Sequence, residues 1–483
     1  MKRLDFNLTP QAVDNDKSVV FKAAMRYLMV VGIVAFFFAS CNNDNDGKAV
    51  HDPNQPVVLT SFHPDSGRIR EMVLLDGSNF GTDPSIIKVF FNEREAKVIG
   101  STGNRILVAV PRMPGDTCIV TVEVGKQKKD YVNQFRYKIA ASVTTVAGNG
   151  IGSPKIFDQG LDKAQLQPVY IGADKEFNIF VTDNGDNLLR INEEENLIQL
   201  IATGAQGFNH RCQISVNPTN NVIQMGAENV GNRDRFAFFD PKKSWAMSYK
   251  YIREWNLNGY PLPAGAAPTS PVPANHFETH HHCLYCEVDG QYYTRYQSGA
   301  LVRIDPDTWN AKIVGMTPVG IAYGLAFHPF NKSELWIAYD GVGEANTGAY
   351  AHSICRLNVL DETAGDNGIL ASFEKLSGPS TAPDHRDGPL DVAQFNVPRA
   401  ISFDADGNLF VGDCNNQCVR MINTMSNPMT VETTIGIPGI AGMVNGNKED
   451  ARFSGLHGIA TDAEGSVFVS DYRNMRVRKI AIE

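Results

Sequence analysis

The sequence predicts an all-β protein with two folded units, a small β-sandwich followed by a six-bladed β-propeller. Three observations predict it. Turn formers are abundant, with 42 Gly and 25 Pro in 483 residues, which favours many short strands over long helices. Between residues 57 and 139, short segments alternate apolar and polar residues between Pro and Gly punctuation. From about residue 143 onward one pattern recurs, a short apolar strand ending in Asp with an Arg seven positions later. The hydrophobic fraction of 43% is sufficient for real cores. The formal charge of -9 argues against nucleic acid as a partner, since phosphate binding needs clustered Lys and Arg.

The first element is an export signal with an anchor. Lys22 and Arg26 precede an apolar run over 27–38, followed by Ala39-Ser40-Cys41. A basic region, about a dozen apolar residues and small residues before a cut mark a secretory signal, and the run is short for a bilayer span. The ending resembles the lipobox of bacterial lipoproteins, which implies cleavage before Cys41 and acylation there. More than one acyl chain gives stable anchoring where one alone is marginal. Residues 1–24 form an additional polar leader, and Met25 opens a compact signal and is an alternative start. Residues 41–56 are polar and read as a lipidated flexible tether. Acidic residues soon after the cysteine resemble the surface-display signal of Bacteroidetes-type lipoproteins, which implies an outer-membrane location facing the exterior.

The second element spans 57–139. Strand-like segments such as IKVFF at 87–91, RILVAV at 105–110 and CIVTVEV at 118–124 suggest a sandwich of roughly 80 residues. The PDSG at 64–67, the GSNFG turn at 77–81, Val110-Pro111 and Phe135-Arg-Tyr137 resemble the IPT/TIG family of immunoglobulin-like domains. Phe80 is placed to plug one end of the unit. No nucleophile, base or ligand cluster occurs here, so the domain reads as a spacer. Cys118 alternates inward with Val120 and reads as a buried, inert thiol.

The third element spans 143–483. NIFVTD at 178–183, NLFVGD at 408–413 and SVFVSD at 466–471 share the motif, pairing Asp183 with Arg190, Asp413 with Arg420 and Asp471 with Arg478. Turn residues precede each strand at a fixed offset. These features resemble NHL repeats, in which the Asp and Arg tie strands within a blade. A carboxylate and a guanidinium can form such a bidentate bond, so these six residues read as structural. Degenerate units fill the middle, giving blades at about 161–205, 209–255, 275–317, 320–375, 391–436 and 453–483. The last unit lacks an outer strand. VTTVAG at 143–148 resembles VETTIG at 431–436 and can supply it, closing the ring.

The remaining candidates concern ligands. His276, His280, His281, His282, Cys283 and Cys286 form the most suggestive cluster. Consecutive residues of a strand cannot all face one way, so a four-ligand zinc site does not fit. Cys414 and Cys418 could bridge a turn. No cofactor is expected, although a divalent metal remains compatible with the histidines. The sequence has no Gly-x-Ser-x-Gly, phosphate loop or dinucleotide fingerprint. Aromatic residues gather near the Pro-rich insertion at 259–274, and their faces can stack on sugar rings. Trp255, Tyr260, Trp245, Tyr292 and Trp309 are the ligand-binding candidates.

Together these features resemble IPT/TIG–NHL surface lipoproteins of Bacteroidetes. The resemblance implies capture of polysaccharide or oligosaccharide beside an outer-membrane uptake complex, with the bilayer as second partner through Cys41. Two alternatives stay open. One is a propeller polysaccharide lyase or glycoside hydrolase, with His281 and His282 as catalytic candidates. The other is a protein-interaction scaffold.

Overall fold

A computed structural model describes residues 49–482, except 93, 112–116, 139, 185, 207–211, 227–234, 260–281, 342–348, 366–367 and 379–382. Cys41, Tyr260 and His281 lie outside the described residues. Those described form an all-β protein, an IPT/TIG-like unit followed by six blades, each built on a four-stranded meander, with a short fifth strand added in three of them.

In the N-terminal unit, eight strands share one hydrogen-bonded order. The sandwich expected from sequence is here a nearly closed barrel. Its two layers join through Arg94–Ser101, which pairs with Ile87–Phe91 at its start and Arg105–Ala109 beyond. A register irregularity between Val98 and Gly100 accompanies the change of partner, as expected of a bulge that bends its strand. The GSNFG turn is dictated locally. A Cβ on Gly77 would lie 2.3 Å from the Phe80 ring, so the ring can seat only over glycine. Phe80 is fully buried and helps to seal the core around Val89, Phe91, Val108 and Phe135. Cys118 lies in the same core.

Each blade is a meander running outward from the ring axis. In blade 5 the order is Pro398–Phe403, Asn408–Asp413, Cys418–Asn423 and Thr430–Ile435. Blade sheets are covered on both faces by their neighbours, and every residue of Asn408–Asp413 and Cys418–Asn423 is buried. Doubly covered strands need apolar residues on both faces, which explains unbroken runs such as NLFVGD. Each pair of adjacent blades shares one core. Phe410 of blade 5 packs with Phe453 and Val469 of blade 6, and Phe468 of blade 6 packs with Val181 and Leu189 of blade 1.

The ring is closed by the segment preceding the first blade. Ala141–Ala147 pairs antiparallel with Arg476–Ile482 as the fourth strand of blade 6. The N-terminal unit also touches the propeller, where Arg94 pairs with Asp406 at 2.8 Å in the turn after the innermost strand of blade 5. Among the described residues no helix is long and apolar enough to cross a membrane.

Candidate functional site

Six innermost strands line the ring axis, and its two ends differ. At the end where these strands finish lies a cavity of about 590 Å³, walled by aliphatic residues such as Ile171, Ile214, Leu325 and Ile401. Three of its acids serve the backbone, and a fourth, Glu287, pairs with Lys332. Asp174 accepts from the N–H groups of Glu176 and Asn178, Asp404 from Asp406 and Asn408, and Asp462 from Glu464 and Ser466. These are turn-forming interactions. The Arg94–Asp406 contact lies at this end.

The opposite end, where the innermost strands begin, gathers functional groups from several blades. The motif Asp residues prepare it. Asp183 accepts from Gln167 N–H at 2.6 Å, Asp413 from Asn396 N–H at 2.8 Å and Asp471 from Ser454 N–H at 2.7 Å. Three residues beyond each of those N–H groups stand Tyr170, Arg399 and His457. At all three the strand pairing slips, between Pro168 and Ile171, between Pro398 and Ala400, and between Leu456 and Gly458. Bulges re-aim side chains next to binding sites, and here they bring unlike residues together across the axis.

Arg399 Nη1 donates to His457 Nε2 at 3.3 Å, and its guanidinium lies 4.7 Å from the centre of the Tyr323 ring, a cation–π distance. Tyr170 lies 6.0 Å from Tyr323. The His457 ring stacks on Tyr472 at 4.1 Å and 7°, and Tyr472 Oη accepts from Asn184. Burial, reinforced by Arg399 and Arg473, pushes His457 down to about 3. The imidazole is therefore neutral at ordinary pH, as its acceptance of the Arg399 N–H requires. The result is a mouth formed by Tyr323, Arg399 and the His457–Tyr472 pair of blades 4, 5 and 6, backed by the buried Tyr170 of blade 1. Such a surface can stack an apolar ring face and hydrogen-bond its substituents.

His282, the described member of the suggested catalytic pair, is buried and its Nε2 donates to the Tyr323 carbonyl at 3.0 Å. It supports the backbone of a mouth residue. Among the described residues no group of three or more His, Cys, Asp or Glu could hold a metal ion. Cys283, Cys286, Cys414 and Cys418 are free, buried thiols.

The aromatic candidates sit elsewhere. Trp245 and Trp309 occupy the turns between third and fourth strands, both at positive φ, and fold back over the preceding blade. Trp245 packs on Phe180 and under the Arg190 guanidinium. Trp309 is 4% exposed and packs with Phe236, Phe238 and Tyr292. Trp255 lies on a short strand added to the edge of blade 3, its ring 6.2 Å from Tyr296. The described members of this set contribute to packing between or along blades, and none reaches the mouth.

The blade motif holds in two cases and fails in one. Arg420 meets Asp413 at 2.9 Å and Arg478 meets Asp471 at 2.7 Å, all four side chains fully buried. Arg190 does not meet Asp183. It bonds Asn178, while Lys155 pairs with Asp183 at 2.7 Å. The cause is loop length. Three residues separate Asp183 from its partner Asn187, where four separate Asp413 from Cys418 and Asp471 from Arg476. A one-residue slip sends a side chain to the other face, so Leu189 takes the place that Arg420 holds in blade 5.

Comparison with known proteins agrees with this architecture. The IPT/TIG domain family matches residues 56–137. No curated protein matches the chain. Among solved structures, a protein of unknown function from Bacteroides thetaiotaomicron is similar, with 21% identity and a TM-score of 0.63 over 90% of this chain and all of that one. Two proteins described as auxiliary nutrient binding proteins are also similar over 90% of this chain and all of theirs. One, from the same organism, has 20% identity and a TM-score of 0.54; the other, from Bacteroides ovatus, has 19% and 0.53. At these identities the likeness establishes the fold, an IPT/TIG domain followed by a propeller.

Proposed function

We propose that this protein captures carbohydrate on the outer surface of the cell, anchored through an acylated Cys41, and holds it for an outer-membrane uptake system. The observation that carries the reading is the mouth itself: Tyr323, Arg399 and the stacked His457–Tyr472 pair, brought together by bulges on separate blades. Aromatic faces flanked by hydrogen-bonding groups are what sugar recognition requires. The two similar nutrient binding proteins are compatible with such a role, although a shared fold does not by itself assign one. The tether and the N-terminal domain would act as spacers between membrane and ring. The test is a glycan-array screen of the detergent-solubilised full chain, with product analysis on each hit. Binding without turnover is the expected outcome. Turnover of a bound glycan would replace capture with catalysis, and an array without any hit would overturn the reading.

A further inference from the structure

We infer that the glycan held at the mouth is acidic, its carboxylate or sulfate group resting on Arg399. This deepens the capture reading and rests on it.

Other enclosed arginines of the propeller receive protein acceptors. Arg420 has Asp413 at 2.9 Å and Asp387 at 2.5 Å, and Arg478 has Asp471 at 2.7 Å. Arg295 has no carboxylate, but its three donor nitrogens bond Thr317 Oγ1 and the carbonyls of Gly320 and Pro318. Arg399 is provided for differently. Its Nη1 meets a neutral imidazole, its planar face lies over Tyr323, the weakly accepting Cys414 thiol is its other side-chain contact, and its Nη2 makes no hydrogen bond among the described residues; its buried Nε lacks a partner, as that of Arg478 does. Among the described residues Arg399 makes no ion pair with a carboxylate, and the field of the fully buried Asp340 reaches it.

An enclosed cation with an unspent donor costs stability unless an anion completes it. The surroundings favour an anion from outside. His457 cannot supply negative charge, and Arg473, whose field also reaches His457, adds a second positive charge at the rim. Guanidinium donors match the oxygens of a carboxylate or sulfate as a fork. Tyr323 and the His457–Tyr472 stack flank that fork, where the ring bearing the anionic group would lie.

The test is equilibrium binding by the full chain in detergent to two matched pairs. One is a uronate oligosaccharide and its carboxyl-reduced counterpart; the other is a sulfated oligosaccharide and its desulfated counterpart. At least one acidic member should bind ten-fold or more tightly than its neutral twin, and the pair that responds identifies the anionic group. In Arg399→Gln the gap should close, whereas Arg399→Lys, which keeps the charge, should retain part of it. Melting temperatures of both variants report whether the fold is kept. Equal binding of acidic and neutral twins, or a gap that survives in a folded Arg399→Gln protein, would overturn the inference while leaving capture standing. Absence of binding to all four probes and to the neutral and acidic glycans of the array would overturn both.

Discussion

Arg420 and Arg478 are both fully buried against a motif aspartate, yet their surroundings differ. Beyond Asp413, Arg420 also has Asp387 at 2.5 Å and the carbonyls of Gln394 and Arg386. Arg478 has Asp471 and the carbonyls of Arg452 and Val444. Asp471→Ala therefore leaves a buried guanidinium without a carboxylate and should cost roughly 3–5 kcal/mol. Asp413→Ala leaves Asp387 in place and should cost about 1–3 kcal/mol. Urea unfolding of the two variants checks the order, and a smaller loss for Asp471→Ala would contradict it. At this scale the sequence was legible where spacing preserved register. The shared seven-residue interval concealed the shorter hairpin that turns Arg190 away from Asp183, because the same interval spans hairpins of different length.

Strand Ala141–Ala147 is the element on which the ring closes, covering the edge of Arg476–Ile482. Without it that edge would offer unpaired N–H and C=O groups to other chains. A chain beginning at residue 140 should therefore remain monomeric and melt cooperatively, while one beginning at residue 150 should associate or unfold. Size-exclusion chromatography with thermal melting separates the outcomes, and equal melting of both as monomers would show the strand to be dispensable. Elements were the most legible level of this protein, because apolar runs, turn residues and the likeness of VTTVAG to VETTIG are all local signals. The wrapped sheet of the N-terminal unit was less so, since a strand that changes partner midway reads as any other strand. The mouth was the least legible part. Tyr170, Arg399 and His457 stand 13, 14 and 14 residues before their motif Asp. That interval was a usable signal, but their convergence depends on bulges and ring closure, which no single segment encodes. His282, which the histidine cluster did single out, lies beside the mouth and supports it from beneath. The tryptophans pack within or between blades, and composition does not tell which aromatic ring turns into a core.

At the scale of the whole molecule, the two ends of the axis are built for different tasks. The cavity end has acids committed to turns or, at Glu287, to Lys332, and a contact with the N-terminal unit through Arg94 and Asp406. The mouth presents aromatic rings and a guanidinium that makes no ion pair with a carboxylate among the described residues, at the other end of the axis. If the tether carries the N-terminal unit near the membrane, the mouth faces outward, an orientation suited to capture. The most direct test of this account is a calorimetric titration of a glycan hit into wild type, Tyr323→Ala and Lys332→Ala, the last lying at the cavity end. With melting temperatures matched, Tyr323→Ala should weaken binding at least ten-fold and Lys332→Ala should leave it unchanged. Loss of binding in Lys332→Ala with Tyr323→Ala unaffected would place the ligand at the opposite end and contradict the account.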